Sequence, residues 1–267
     1  MTILEAIFLG IIQGATEFLP ISSSGHLLLI PALFNLDEPS LNLISITHLG
    51  TLLAVLIYFR QDIGTIIQAV IAGLREKRPL ATPEARLGWY VVVGSIPIGI
   101  VGLYLAEDFD ALFGPRAAAY FLLGTAAILV IGEWLHSGNK PLDKMTWTDA
   151  LVIGVIQMLA VLPGISRSGT TIMAGLTRGL DRTTAARYSF LLSIPAIIGA
   201  GLLTLLDLIE TGAGGNEVLL MGVAFLAAAA TGYACIHWLL LWLRLRGLYG
   251  FAVYCALFAV VFLVIGN

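Results

Sequence analysis

Six apolar blocks, residues 42–60, 86–106, 116–134, 184–206, 218–242 and 249–266, come close to the length a helix needs to cross a bilayer, about 20 residues. In hydrocarbon every backbone N–H and C=O must find its partner within the segment, so such blocks become helices. The composition agrees. Of the 267 residues 58% are hydrophobic and 12% charged, roughly half the charged share of an ordinary soluble domain. The chain reads as a single all-α integral membrane domain, residues 1–267, with membrane lipids as its surroundings and no nucleic-acid partner. Cys235 and Cys255 lie in separate apolar blocks and read as packing residues. The four histidines are too scattered for a zinc signature. No Lys or Arg precedes Arg60, so the positive region of a cleavable signal is missing.

Two further apolar stretches are broken. Residues 2–34 contain Pro20 and Ser22-Ser23-Ser24-Gly25; residues 149–177 contain Pro163-Gly164 and Ser166-Arg167-Ser168-Gly169. Each half is too short to cross alone. Broken helices at membrane depth are tolerated only where the freed backbone faces protein or a watery cavity. Both stretches therefore read as re-entrant helix–loop–helix hairpins. They also resemble each other: in GIIQGATEFLPISSSGH (10–26) and GVIQMLAVLPGISRSGT (154–170), Gly10, Ile12, Gln13, Ile21, Ser22, Ser24 and Gly25 meet identical residues at a constant offset of 144. With one hairpin and three spans per half (about 1–135 and 149–267), the halves must insert in opposite senses. The expected fold is six transmembrane helices plus two hairpins in an inverted-topology repeat.

Charge placement supports this topology. If 61–85, 135–148, 178–183 and 243–248 are cytoplasmic, that side and its flanks hold Arg60, Arg75, Lys77, Arg78, Arg86, Lys140, Lys144, Arg178, Arg182, Arg187, Arg244 and Arg246, and only Arg116 falls outside. The outer connections are acidic: Asp37, Glu38, Glu107, Asp108, Asp110, Asp207, Glu210 and Glu217. Both termini are then outside, and the hairpins dip from opposite faces.

The repeat alignment isolates the polar cargo. Glu17 stands opposite Val161, Ser23 opposite Arg167, and His26 opposite Thr170. Ionisable groups at membrane depth cost a few kcal/mol each and are read as functional, with a partner. Glu17 and Arg167 can clamp the hairpins as a buried pair, serve an anionic ligand, or both. Arginine is the side chain best shaped to fork onto phosphate oxygens. In SRSGTT, Ser166 or Ser168 can cap a helix whose free N–H groups also favour an anion. Glu17, Ser22, Ser23, Ser24 and His26 can do hydrolytic work, with a hydroxyl or imidazole attacking phosphorus and a carboxylate removing a proton. Glu17 can equally hold a divalent cation. Gln13, one turn before Glu17, shares its face, and Gln157 repeats it. His48 lies in the first span within possible reach of the site. A transporter moving a lipid phosphate through the same mid-membrane site is the rival reading.

QGATEFLPISSSGH and LPGISRSGTT, with THLGTLLAV (47–55) and YSFLLSIPA (188–196), resemble the undecaprenyl-diphosphate phosphatase family, the bacitracin-resistance phosphatases of bacteria. The resemblance runs over nearly the whole chain. It implies hydrolysis of undecaprenyl diphosphate to the monophosphate carrier of peptidoglycan synthesis, at the outer face of the bacterial cytoplasmic membrane. It carries the family's (E/Q)xxxE motif to Gln13 and Glu17, its histidine to His26, and its PGxSRSxxT motif to Pro163, Gly164, Ser166, Arg167, Ser168 and Thr171. It makes Glu17, Ser23, His26 and Arg167 the catalytic set, with Ser23, His26 or water left open as the attacking group. Gln13, Ser22, Ser24, Ser166, Ser168, Gly169 and Thr171 become substrate-binding residues, and a homodimer is compatible with it. A divalent cation (Mg or Ca) at Glu17 stays open, although Gln13, where many members carry Glu, speaks against a mechanism needing two carboxylates.

Overall fold

The computed structural model describes residues 1–34, 36, 39–112, 114–211 and 214–266, the side chains of 105–112, 200 and 202–211 excepted. Its helices in chain order are α1 (Ile3–Phe18), α2 (Ser23–Phe34), α3 (Leu41–Tyr58), α4 (Arg60–Arg75), α5 (Pro83–Leu112), α6 (Pro115–Leu135), α7 (Trp147–Gln157), α8 (Arg167–Thr177), α9 (Arg182–Thr211), α10 (Gly215–Leu245) and α11 (Tyr249–Ile265). α3, the Pro83–Tyr104 part of α5, α6 and α10 are long and apolar enough to cross a membrane; α11 is apolar and shorter. The chain is thus all-helical among the described residues and has the helices of a multi-pass membrane protein. Residues 61–85, expected as a plain connection, carry α4. Ile63, Ile66, Ile67, Val70, Ile71 and Leu74 recur there at helical spacing, an amphipathic stripe that a search for continuous apolar runs passes over. Asp37 and Glu38, and the side chains of Glu107, Asp108, Asp110, Asp207 and Glu210, lie outside the described residues.

The two broken stretches repeat the same local chemistry. α1 opens on a capping box: Thr2 Oγ1 accepts from the Glu5 N–H, and the Glu5 carboxylate accepts from the Thr2 N–H. Thr146 and Asp149 make the same box at the start of α7, again 144 residues on. α1 stops at Leu19, in extended backbone, because the ring of Pro20 disfavours helical backbone in its predecessor. The chain restarts in α2 after Ser22, whose Oγ accepts from the Gly25 N–H at 3.2 Å. In the second stretch Ser166 Oγ accepts from the Gly169 N–H at 3.0 Å at the start of α8.

The core is apolar, as in a soluble protein, but much of the surface is apolar too and some polar groups are buried. Leu103, Trp134 and Val264 are about three-quarters exposed or more, whereas Gln13, Glu17, His26, Ser166 and Thr171 are buried. Apolar side chains facing lipid gain nothing from burial, so helix contact relies on close backbone approach through small residues. α1 meets α10 through Gly10 and Gly14; a Cβ on Gly14 would stand 2.6 Å from the Ala228 carbonyl oxygen. α7 meets α5 through Gly154 packed on Gly94. Gly10 and Gly154 stand at the constant offset of 144, so each broken stretch uses the matching glycine to seat itself on a long helix, α10 for the first and α5 for the second.

Ion pairs tie the basic ends together. Asp149, with a fully buried side chain, accepts from Lys140 Nζ at 2.8 Å and from Arg178 Nε at 2.9 Å. Glu133 pairs with Arg182 and accepts from the Leu248 N–H at 2.9 Å, linking α6, α9 and the start of α11. Asp149→Ala should lower stability by about 2 kcal/mol, the loss of one cap and one partly solvated ion-pair network. Lys140 and Arg178 are about one-third exposed and can turn to water, so the variant should fold. A fall in the thermal midpoint in detergent, with helix content unchanged below it, is the expected result.

Candidate active site

The two breaks face each other. A Cβ on Gly25 would meet the Gly164 Cα at 3.2 Å. The Ser168 hydroxyl donates to the Leu19 carbonyl at 3.0 Å, and Ser24 Oγ accepts from the Gly164 N–H at 3.4 Å. Gly164 has φ +99°, and any side chain there would strike the Ala118 carbonyl of α6. Thr125, also on α6, donates to the Gly164 carbonyl at 2.7 Å and accepts from the Ser166 N–H at 2.9 Å. The second tip is therefore held from both sides.

Between the tips lies a pocket of about 290 Å³ lined by Glu17, Ser22, Ser23, Ser24, His48, Ser166 and Arg167, with Ala160, Ile165, Ala196 and Ile197 as its apolar wall. The starts of α2 and α8 both line it. A helix start carries free N–H groups and the positive end of the helix dipole, each worth about 0.3–1 kcal/mol to a nearby anion. A larger cavity of about 550 Å³ near α4 and α9 is lined by Asp62, Glu84, Asp143 and Asp181 against one cation, Arg187. Its lining is predominantly acidic, unlike that of the smaller pocket.

Glu17 organises the smaller pocket. Its Oε1 accepts from Arg167 Nη2 at 2.7 Å; its Oε2 accepts from the Ser23 hydroxyl at 2.7 Å and from Gln13 Nε2 at 2.9 Å. All three neighbours donate, which is the surrounding of a carboxylate rather than a carboxylic acid. His48 Nε2 stands 3.6 Å from Oε2. Arg167 also donates from Nη1 to the Ser189 carbonyl at 3.2 Å. The Glu17 and Arg167 side chains are 7% and 16% exposed, so the pair is shielded yet reachable from the pocket.

Ser22 is one of two non-glycine residues among those described with positive φ, at +72°. A non-glycine residue held there stores about 1–3 kcal/mol and needs surroundings that enforce it. His26 does so. Its Nδ1–H donates to the Ser22 carbonyl at 2.8 Å, and its Nε2 accepts from the Tyr254 hydroxyl at 2.8 Å. Its ring stacks on Phe258 with centroids 4.8 Å apart.

These contacts divide the expected site residues. Glu17, Ser22, Ser23, Ser24, Ser166 and Arg167 come together in one pocket. His26, expected as a nucleophile, does not: it lies one turn along α2, buried against α11, with both ring nitrogens engaged. Ser168, Gly169 and Thr171 were expected to bind substrate and instead hold the tip. Thr171 donates to the Arg167 carbonyl at 2.8 Å and shares a 2.6 Å hydroxyl contact with Ser189. The reason is geometric: of α8 Arg167 lines the pocket, while Ser168, Gly169 and Thr171 pack inward. Gln13 is wholly buried behind Glu17 and likewise does not line the pocket. Thr125 and Ser189 are not among the expected site residues, although a lone threonine in the 116–134 block and the first serine of YSFLLSIPA were visible signals.

A divalent cation at Glu17 finds no cage. Among the described residues no group of three or more His, Cys, Asp or Glu converges. Glu17 is the one carboxylate lining the pocket among the described residues, and both its oxygens are already taken. Mg and Ca each require several oxygen ligands, so the donor set does not fit a resident cation.

Comparisons with known proteins meet this geometry. Residues 6–261 match the family model described as "Bacitracin resistance protein BacA". A protein from Myxococcus xanthus (strain DK1622), named undecaprenyl-diphosphatase, is 45% identical over 269 residues, covering 99% of this chain and 89% of the relative. A Chloroherpeton thalassium (strain ATCC 35110 / GB-78) protein of the same name is 44% identical over 272 residues, 97% of this chain and 95% of the relative. One from Methanosphaera stadtmanae (strain ATCC 43021 / DSM 3091 / JCM 11832 / MCB-3) is 43% identical over 275 residues, 99% and 98% respectively. The matched region takes in both breaks and every residue that lines the pocket, and on this the chain belongs to the family of the bacitracin resistance protein BacA.

Proposed function

We propose that this protein hydrolyses undecaprenyl diphosphate to undecaprenyl phosphate and inorganic phosphate, returning the lipid carrier to peptidoglycan synthesis and thereby conferring bacitracin resistance. The observation that carries this reading is the 2.7 Å contact of Glu17 with Arg167, with the Ser23 hydroxyl on the same carboxylate. The phosphates lie against Arg167 and the starts of α2 and α8, and the lipid tail leaves along the apolar wall of Ala160, Ile165, Ala196 and Ile197. A pocket of about 290 Å³ suits a phosphate head; the tail stays in lipid.

The arriving diphosphate competes with Glu17 for the Arg167 guanidinium and leaves the carboxylate free to take the Ser23 proton. Ser23 Oγ then bonds to the terminal phosphorus, the bridging P–O bond breaks, and the lipid monophosphate departs. Arg167 and the helix-start N–H groups steady the charge that develops on the equatorial oxygens. Water next attacks the phosphoserine, the P–Oγ bond breaks, and inorganic phosphate leaves. His26 is a positioning residue here: it holds the Ser22 carbonyl and so the turn that presents Ser23.

The architecture belongs to the same proposal. Six spans and two hairpins, α1–α2 and α7–α8, form an inverted repeat within one domain, supported by matching caps at Thr2 and Thr146 and at Ser22 and Ser166. The termini and the pocket mouth then face outward from the bacterial cytoplasmic membrane.

The experiment uses polyprenyl diphosphate labelled in the terminal phosphate and purified protein in detergent, where no leaflets exist and a transporter has nothing to do. Rapid quenching should trap label on Ser23. Ser23→Ala should lose about a thousandfold or more in phosphate release while keeping its thermal midpoint. Turnover by Ser23→Ala within tenfold of the parent would remove Ser23 as the nucleophile.

A further inference from the structure

His48 falls within THLGTLLAV (47–55) but is given no role in the catalytic or substrate-binding sets above, yet it lines the pocket at the tips of both hairpins. It lies on α3, and its Nδ1 sits 2.8 Å from the Ile44 carbonyl oxygen. A carbonyl only accepts, so Nδ1 carries the hydrogen. In the neutral ring Nε2 is then a bare acceptor, 3.6 Å from Glu17 Oε2, on a side chain 29% exposed. His26 presents the opposite case, with Nε2 capped by Tyr254 and its ring enclosed.

We propose that His48 is a catalytic residue, the base that activates water in the second half of the reaction. This rests on the phosphoserine reading above. Once Ser23 has been phosphorylated, its proton sits on Glu17, and water must surrender a proton elsewhere. The remaining polar groups lining the pocket are hydroxyls, which are not bases at neutral pH, and Arg167, which has no lone pair to offer. His48 Nε2 is the acceptor that remains. The water oxygen bonds to phosphorus as the P–Oγ bond breaks. The water proton passes to His48, Glu17 returns its proton to Ser23 Oγ, and inorganic phosphate leaves with the site ready for release of the His48 proton to solvent. Among the described residues Glu17 from α1 and Arg167 from α8 are the charged groups that line the pocket with His48, and α9 contributes Ala196 and Ile197.

The two half-reactions make the idea testable. Purified full-length parent, His48→Gln and His48→Ala are mixed with terminally labelled polyprenyl diphosphate, then quenched. Label on Ser23 and free phosphate are counted separately. In both variants, first-turnover release of lipid monophosphate should stay near the parent rate. Steady-state phosphate release should fall by about a hundredfold or more, with label accumulating on the protein toward one per chain. Added imidazole should discharge the labelled His48→Ala protein faster, which a merely structural role would not allow. The proposal is overturned if phosphate release stays within threefold of the parent. It is overturned equally if release falls without label accumulating, or if imidazole leaves the labelled protein untouched. Absence of label from Ser23 in the parent, with Ser23→Ala active, would instead overturn the phosphoserine reading.

Discussion

An Arg167→Lys variant should release phosphate about a thousandfold more slowly than the parent while remaining folded. Lysine keeps the positive charge beside Glu17, so no buried carboxylate is stranded. It does not keep the fork. In the parent one end of the guanidinium reaches Glu17 Oε1 at 2.7 Å and the other the Ser189 carbonyl at 3.2 Å. That second contact fixes the plane in which phosphate oxygens are met, and a single ammonium cannot satisfy both partners. Arg167→Ala is a poorer test, because leaving a buried charge uncompensated costs about 3–5 kcal/mol and mixes misfolding with lost chemistry. Phosphate release and thermal midpoint should be measured together. Arg167→Lys activity within tenfold of the parent would mean that Arg167 supplies charge alone.

The second large effect is at Glu17. Glu17→Gln should lower kcat by about a thousandfold, the usual worth of a positioned base. Binding should move the other way. With the competing carboxylate gone, Arg167 is free for the ligand, so inorganic phosphate should inhibit the variant at least as well as the parent. This split distinguishes a base from a clamp. A variant with normal kcat and a raised KM would show that the Glu17–Arg167 pair only holds the hairpins together.

Much of the fold was legible because membrane helices follow local rules. The block at 116–134 became α6, and 249–266 became α11, since apolar length decides a helix in lipid without reference to neighbours. Pro20 and the paired serine caps announced the breaks for the same reason. α4 was missed because its stripe is amphipathic and its register matters more than its mean apolarity. At the site, the pairing of Glu17 with Arg167 was legible from the repeat: one half carried an acid and the other a guanidinium at tips expected to meet.

The sequence by itself determined the apolar helices, the two breaks, the internal repeat and the acid–arginine pair, because each depends on residues close in the chain or equivalent within the repeat. Only the tertiary structure decided which histidine faces the pocket. His26 and His48 are both helical histidines whose Nδ1 atoms reach the carbonyl four residues earlier. What separates them is the neighbour met across the helix interface: Tyr254 and Phe258 of α11 enclose the first, while open pocket and Glu17 meet the second. That choice depends on how α2 and α3 are rotated against distant helices, which no local pattern of residues specifies.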